Sequence, residues 1–391
     1  MTTARTARTT RNARTTRTTR TVLAATAVAA LTAGALAAPA VAASTPKKPD
    51  HTATQRALDA AVEEGVPGAV AQARTGHGRA WTGTAGERGG QDRYRVGSIT
   101  KTFVATVLLQ LQAEGRLDLD DPVEKWLPGV VRGNGHDGRK VTVRQLLNHT
   151  SGIYNVTSDP GFQQKVFGPE FLKNRYDTWT PEQLVAVAMT HEPDFAPGTA
   201  WTYSNTNYVL AGMVIEKATG RPYGKEVERR ILKPLKLRAT SVPGTKATMP
   251  QPSSRAYSKL SIDENATTIH DVTELNPSLA HAAGEMISDS NDLQTFYRAL
   301  FKGKLLPRAE LREMTATVPV SAENPEFFYG LGLQQTKLSC GKEVWGHGGG
   351  IHGSSSQAVT TRDGEHSLAM NFNADWTGDS QKVIEAEFCG S

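Results

Sequence analysis

The sequence has only two cysteines among its 391 residues, Cys340 and Cys389, and both lie near the carboxyl end. It contains no Cys-x-x-Cys and no His-x-x-x-His spacing, which leaves no recognisable zinc-binding pattern. Beyond residue 38 it also has no apolar run of the length that crosses a bilayer. These absences predict a protein without a metal site and a mature chain without a stable membrane anchor.

The first 49 residues contain no acidic residue, so the positive charge of the chain is concentrated at its amino end. The formal net charge is +5, from 44 basic and 39 acidic residues. Six arginines precede the first acidic residue, Asp50, and without them 38 basic residues face 39 acidic ones. A near-neutral remainder does not offer the basic face that a nucleic-acid-binding protein needs. We therefore do not expect nucleic acid as a partner.

The amino end has the pattern of a secretory signal peptide. Its arginines are followed by the apolar residues 22–38 and by an Ala-x-Ala pattern, which predicts a signal peptide over residues 1–42. Cleavage is expected after Ala42, with Ala43 as a near-equal choice, and residues 43–49 are expected to form a short linker. The mature protein should then be secreted. In an oxidising compartment Cys340 and Cys389 should pair as a disulfide.

Hydrophobic periodicity predicts an α/β fold for the rest of the chain. Helical spacing covers residues 50–64, 98–115, 143–148, 181–189, 208–219, 223–231, 291–301 and 380–388. Strand patterns cover residues 69–73, 329–335, 343–347, 355–360 and 367–373. Strands at both ends around a helical middle predict a discontinuous α/β domain, residues 50–95 and 275–391, and a mainly helical domain, residues 96–274.

A candidate nucleophile and base stand at the start of the second predicted helix. Ser98 and Lys101 are three residues apart, so they lie one helical turn apart on the same face. A serine hydroxyl attacks only when a base takes its proton, and a lysine in a dry pocket can do so because burial lowers its pKa. The apolar neighbours of Lys101 favour such a pocket over an exposed position.

Two further motifs carry polar groups suited to the same chemistry. Tyr203 and Asn205 lie in a predicted polar loop, residues 197–207, where a phenol can relay protons and an amide can hold a substrate carbonyl. His347 is followed by three glycines, Gly348, Gly349 and Gly350, which let a substrate backbone lie against a strand edge. The amides of Gly350 and Ser98 could together bind an oxyanion.

These three motifs, in the order Ser-x-x-Lys, Tyr-x-Asn and His-x-Gly, resemble those of the penicillin-recognising serine hydrolases. The similarity extends over residues 95–103, 114–120, 142–152, 197–207 and 329–333. It implies the β-lactamase and penicillin-binding-protein fold, an antiparallel sheet flanked by helices beside a mostly helical domain. Among family members the chain is most similar to secreted D-Ala-D-Ala carboxypeptidases, which share the late cysteine pair.

The resemblance also implies a role for each motif residue. Ser98 would be the acylated nucleophile and Lys101 the base that activates it. Tyr203 would pass a proton to the leaving group, Asn205 would hold the substrate amide, and His347 would lie beside the tyrosine. No metal or organic cofactor is implied.

The chain departs from carboxypeptidase relatives where those enzymes bind the free carboxylate of the substrate. Relatives have hydroxyl residues and an arginine there, whereas this chain has Gly348, Gly350, Gln334 and Gln335. Losing such partners costs about 2–4 kcal/mol of binding, the scale of charge-assisted hydrogen bonds. Three other residues remain as possible carboxylate partners: Lys337, His352 and Arg362.

The main expectation is therefore a secreted hydrolase that acts on D-alanyl-D-alanine peptides of the peptidoglycan stem through an acyl-enzyme. β-Lactams are expected as inhibitors or substrates. The alternatives are a β-lactamase, an esterase or a D-amino-acid peptidase of the same fold, or a slow penicillin- or peptidoglycan-binding protein. A lipase is excluded, because the sequence has no Gly-x-Ser-x-Gly motif to accompany its His-Gly-Gly-Gly run.

Overall fold

The structure is a computed structural model that describes residues 50–261 and 266–390. The predicted signal peptide (1–42) and linker (43–49) lie outside the described residues. The helices are α1 (Thr52–Glu63), α2 (Thr100–Ala113), α3 (Val123–Trp126), α4 (Val143–Leu147), α5 (Pro160–Val166), α6 (Phe171–Asn174), α7 (Pro181–Ala188), α8 (Asn205–Thr219), α9 (Tyr223–Val227), α10 (Lys233–Leu235), α11 (Ser290–Phe301), α12 (Arg308–Met314) and α13 (Ser380–Cys389).

Most of the strands come from the two ends of the described chain. They are β1 (Gly68–Thr75), β2 (Trp81–Gly86), β3 (Tyr94–Arg95), β4 (Arg132–Gly133), β5 (His136–Asp137), β6 (Tyr257–Ser258), β7 (His270–Asp271), β8 (Ile287–Ser288), β9 (Val318–Pro319), β10 (Phe327–Tyr329), β11 (Gln334–Lys337), β12 (Glu343–Ile351), β13 (Ser354–Thr360) and β14 (His366–Phe372).

One eight-stranded antiparallel sheet organises the molecule, in the order β2-β1-β14-β13-β12-β11-β10-β9. β1 pairs with β14, so the first strand within the described residues is hydrogen-bonded to the last. Side chains of a strand alternate between its two faces. On β14, Leu368, Met370 and Phe372 pack in one buried cluster with α1 and α13, whereas Ala369 faces the larger cluster that includes α2, α8 and α11. Helices thus cover both faces, which confirms the predicted fold class.

Four local features differ from the predicted elements. The strand expected over residues 329–335 is two strands, β10 and β11, joined by a turn in which Gly332 has a φ of 65°. β12 runs on to Ile351 instead of ending near His347. Asn205 is the first residue of α8 and not part of a loop. Ser98 lies in a short 3₁₀ turn, Gly97–Ile99, directly before α2. The predicted division into two domains stays a prediction.

Cys340 and Cys389 form a disulfide, as predicted, with their Cα atoms 5.8 Å apart. The bond connects the segment before β12 to the end of α13, across a separation of 49 residues. Closing a loop of this length restricts the unfolded chain. No helix within the described residues is both long and apolar enough to span a bilayer.

Replacing both cysteines with serine should lower the free energy of unfolding by about 2–4 kcal/mol, because the unfolded chain regains the freedom of the closed loop. Urea unfolding of the two proteins measures the difference. Neither cysteine is among the residues that line the cavity beside Ser98, the predicted nucleophile. The rate at which a serine-directed probe such as a fluorophosphonate labels Ser98 should therefore not change. Free thiols in the unfolded, unreduced wild type would contradict the prediction.

Candidate active site

Ser98 lies where the first turn before α2 touches strand β12. Gly97 has a φ of 49°, and a Cβ atom there would come within 2.7 Å of the carbonyl oxygen of Gly350. Only glycine combines this backbone conformation with so close an approach. The turn therefore places Ser98 beside the glycine-rich part of β12, as the sequence predicts.

Lys101 is buried one turn further along and reaches three oxygen atoms. Its Nζ lies 3.0 Å from Ser98 Oγ, 2.8 Å from Asn205 Oδ1 and 2.7 Å from the carbonyl oxygen of Ala283. Asn205 Nδ2 donates to Thr157 Oγ1, which keeps Oδ1 turned toward the lysine. Burial lowers the pKa of Lys101 well below its usual value, and it forms no ion pair with an acidic side chain of the described residues.

A neutral amine has two protons and one lone pair, and its three partners determine where they point. The oxygens of Asn205 and Ala283 can only accept, so they take the two protons. The lone pair is then directed at the hydroxyl of Ser98, which donates to Nζ. The three contacts thus orient Lys101 as a general base for Ser98.

Tyr203 completes the group around the nucleophile. Burial raises its pKa above the ordinary value, and the nearby Ser98 hydroxyl offsets part of that rise. The Nζ atom of Lys101 lies 4.9 Å from the centre of its ring. A raised pKa keeps the phenol protonated at neutral pH, so Tyr203 is suited to donating a proton and not to acting as a phenolate base.

The glycines after His347 bring β12 against the turn that carries Ser98. A Cβ atom on Gly349 would lie 2.0 Å from the carbonyl oxygen of Val96 and 2.9 Å from the amide nitrogen of Ser98. Gly350 has no such neighbour, and it lines the same cavity as Ser98. This arrangement is compatible with the predicted oxyanion site of the Ser98 and Gly350 amides.

His347 is buried and neutral. Its Nε2 lies 2.8 Å from the hydroxyl of Tyr329, and its Nδ1 faces the carbonyl oxygen of Gly348. Burial lowers its pKa to about 3. Its hydrogen-bond partner is Tyr329 and not Tyr203, the neighbour expected from the family. The sequence marks Tyr329 only as part of a family motif, because nothing in it relates this residue to His347.

The cavity at Ser98 is small, about 80 Å³, and continues into a cleft of about 610 Å³. Three residues line both spaces: Phe167, Gly350 and Ile351. The small cavity is mostly apolar, and none of the described residues that line it has a charged side chain: Ser98, Val156, Thr157, Phe167, Asn205, Val209, Leu279, Ala280, Ala283, Gly284, Gly350 and Ile351.

The three candidate carboxylate partners do not line this small cavity. Lys337 is exposed and pairs with Glu326. His352 is buried in contact with Phe167 and Phe171, its Nε2 lies 2.6 Å from the carbonyl oxygen of Val166, and burial lowers its pKa to about 4. The guanidinium of Arg362 lies over the ring of Trp345.

The amide of Gly348, where relatives have a hydroxyl residue, has a partner within the sheet. Gln334 Oε1 accepts a hydrogen bond from Gly348 N at 2.9 Å. Within the described part of the chain, Lys259 is the one positively charged side chain that lines the neighbouring cleft, where the buried His352 is neutral.

Several known proteins are similar to this chain over most of its length. The Beta-lactamase family model matches residues 50–386. A D-stereospecific amidohydrolase from a Streptomyces species is 77% identical, with a TM-score of 0.86 over 88% of this chain and 100% of that one. A D-amino acid amidase from Ochrobactrum anthropi, solved in complex with D-phenylalanine, is 29% identical, with a TM-score of 0.73 over 85% of this chain and 97% of that one.

A curated relative, a penicillin-binding protein of Bacillus subtilis, is 26% identical over 74% of this chain. The aligned part spans 63% of that protein's length. The family match covers most of the chain and includes Ser98, Lys101, Tyr203 and His347. The chain belongs to the β-lactamase family of serine hydrolases.

Proposed function

We propose that the protein hydrolyses amides whose acyl group is a D-amino acid residue, through an acyl-enzyme on Ser98. The observation that carries this proposal is the small uncharged cavity beside Ser98, which suits an apolar side chain and offers no charged partner to a substrate carboxylate. The similarity to the Streptomyces amidohydrolase supports the same substrate class. It favours the D-amino-acid peptidase alternative over the D-Ala-D-Ala carboxypeptidase that was the main expectation from the sequence.

The geometry suggests a role for each group. Neutral Lys101 takes the proton of Ser98 as Oγ attacks the amide carbonyl, and the amides of Ser98 and Gly350 receive the developing oxyanion. Tyr203 gives its proton to the leaving amine and recovers one directly from the protonated Lys101 beside its ring, because the esterified Ser98 oxygen has no proton to pass on. A water molecule then attacks the ester along the reverse route, which returns every proton to its starting group.

The test compares the amides of D- and L-phenylalanine with purified mature protein. We expect kcat/KM to favour the D-amide by at least about 100-fold, because the wrong enantiomer cannot place its side chain and carbonyl together. Equal rates for the two enantiomers would contradict D-specificity. Hydrolysis of a D-Ala-D-Ala tripeptide much faster than of the D-amide would restore the carboxypeptidase assignment.

The proposed chemistry predicts how the rate depends on pH. Below its pKa Lys101 is protonated and cannot accept the Ser98 proton, so kcat/KM should fall about tenfold for each pH unit below that value. Burial lowers the pKa of Lys101, so the fall should begin well below the usual range of a lysine. A pH–rate profile whose acid limb lies near pH 10 would show that the amine is not lowered.

Because none of the described residues that line the cavity at Ser98 is charged, we also expect the enzyme to discriminate weakly between leaving groups with and without a free carboxylate. A D-Ala-D-Ala peptide and its C-terminal amide should react within about tenfold of each other, since no more than one hydrogen bond of about 1.4 kcal/mol separates them. Gly350→Thr should improve the free acid relative to the amide, because open space surrounds that position. A preference above about 100-fold for the free acid in wild type would indicate a carboxylate partner, with Lys259 the first candidate.

We also propose that the protein acts outside the cytoplasm. The signal-peptide pattern of residues 1–42 and the disulfide between Cys340 and Cys389 support export. Mass spectrometry of protein recovered from the culture medium of an exporting host tests this, with an amino end at Ala43 or Ser44 expected. Peptidoglycan stem peptides and β-lactams then remain candidate ligands, and nitrocefin hydrolysis would favour the β-lactamase alternative.

A further inference from the structure

Three buried side chains form a continuous hydrogen-bonded chain beneath the active site. His149 Nε2 lies 3.3 Å from the hydroxyl of Tyr329, and that hydroxyl lies 2.8 Å from His347 Nε2. None of the three residues is more than 1% exposed. The ring of His149 also packs against the ring of Tyr203, with the centroids 4.4 Å apart. These three hydrogen-bonded side chains therefore lie directly behind Tyr203, the residue that we propose as the proton donor.

Backbone and side-chain donors determine which ring nitrogen of His149 is protonated. Ser204 N donates to His149 Nδ1 at 3.2 Å, and Asn207 Nδ2 lies at the same distance. The hydroxyl of Ser151 donates to Asn207 Oδ1, which keeps the amide nitrogen of that asparagine toward His149. A nitrogen that accepts cannot carry a proton, so His149 is protonated on Nε2 and donates to Tyr329.

At the other end, the partners of His347 fix the same direction of hydrogen-bond donation, from His149 through Tyr329 to His347. His347 Nδ1 faces the carbonyl oxygen of Gly348 and must donate to it, so His347 Nε2 has a free lone pair and accepts from Tyr329. The neighbouring Tyr208 donates its own hydroxyl proton to the carbonyl oxygen of Leu147 at 2.7 Å. Tyr329 thus accepts from one histidine and donates to the other, and this arrangement gives each of these groups a partner.

The two ends of this hydrogen-bonded chain connect to different elements of the active site. Ser204 stands between Tyr203 and Asn205, before α8, and Gly348 lies on β12 next to the glycines that contact the turn of Ser98. We propose that His149 and Tyr329 are positioning residues, which set the spacing between the Tyr203–Asn205 motif and β12. In this arrangement His347 is a neutral connecting group and does not exchange protons with the substrate. The proposal extends the proposed function, because it concerns the same site.

Nitrogen-15 NMR of the histidines in the full mature chain tests the proton arrangement without any substrate. His149 should show a protonated Nε2 and His347 a protonated Nδ1, both in the neutral form. Spectra of His149→Gln and His347→Gln assign the signals. The opposite tautomer at either residue, or a charged ring at neutral pH, would overturn the proposal.

Tyr329→Phe tests the positioning role. It removes the shared hydroxyl and leaves both Nε2 atoms without a partner. We expect kcat for the D-amide to fall about 10- to 100-fold, with KM changed less than about threefold, because misplaced groups slow the reaction more than they weaken binding. Tyr94→Phe is the matched control, since Tyr94 is equally buried and its hydroxyl bonds only Ser290. A kcat within about twofold of wild type in folded Tyr329→Phe would overturn the proposal.

His347→Gln and His347→Leu provide a second comparison if Tyr329→Phe does not fold. Glutamine keeps an oxygen that can accept from Tyr329, whereas leucine keeps only the volume. We expect the glutamine variant to label at Ser98 at least about tenfold faster than the leucine variant with a fluorophosphonate probe. Equal labelling rates would contradict the positioning role. Labelling by this probe does not depend on the natural substrate. If the histidines have the predicted tautomers but the protein does not hydrolyse D-amides, only the proposed function is refuted and the positioning role stands.

Discussion

Ser98→Ala should abolish covalent labelling by a fluorophosphonate or a reactive β-lactam and lower kcat for amide hydrolysis by at least about 10⁴-fold. The size of the effect follows from the geometry around the hydroxyl. Lys101 Nζ lies 3.0 Å from Ser98 Oγ, and the Tyr203 phenol is close enough to Ser98 for the two hydroxyls to interact. Without the hydroxyl the base has no proton to take and no covalent intermediate can form.

Ser290→Ala is the matched control for this experiment. Ser290 is likewise a serine at the start of a helix, α11, where it is buried and its hydroxyl bonds Tyr94. Its loss should cost roughly 1 kcal/mol of stability and leave labelling intact. Intact-mass spectrometry of both variants decides the matter. A labelled Ser98→Ala protein would show that the nucleophile is another residue and would remove the basis of the proposed mechanism.

The fold was largely predictable because its signals are local. Alternating apolar residues mark β1, β13 and β14, and the 3.6-residue spacing marks α2 and α11, so periodicity alone finds these elements. The turn between β10 and β11 was missed because its residues, including the buried Leu331 and Leu333, continue the apolar pattern of a strand. Local patterns cannot show where a buried chain changes direction.

The residues of the candidate site were also predictable only in part. Ser98, Lys101, Tyr203 and Asn205 meet as the motifs predict, because each motif orients its own side chains and the fold brings the motifs together. The carbonyl oxygen of Ala283 on Lys101 was not predictable, since a backbone group carries no residue-specific signal. His352, expected as a possible carboxylate partner, is buried against two phenylalanine rings, which only the three-dimensional arrangement reveals.

The glycine run after His347 allows a sharp test of how β12 supports the nucleophile. Gly349→Ala would place a methyl group 2.0 Å from the carbonyl oxygen of Val96 and 2.9 Å from the amide nitrogen of Ser98. Both are backbone atoms, which cannot rotate away as a side chain can. The strand and the Ser98 turn must therefore separate. We expect a loss of about 1–3 kcal/mol in the free energy of unfolding and at least about 100-fold slower acylation.

Gly350→Ala is the internal control, because it adds the same methyl group one residue later, where no atom lies within 4 Å. Its unfolding midpoint should match wild type. The comparison separates two explanations for the glycines. If they serve backbone freedom, both substitutions should act alike, since each removes the same entropy from the unfolded chain. If Gly349 instead allows β12 to approach Ser98, only Gly349→Ala should lower stability, and equal urea midpoints for the two variants would contradict that close contact.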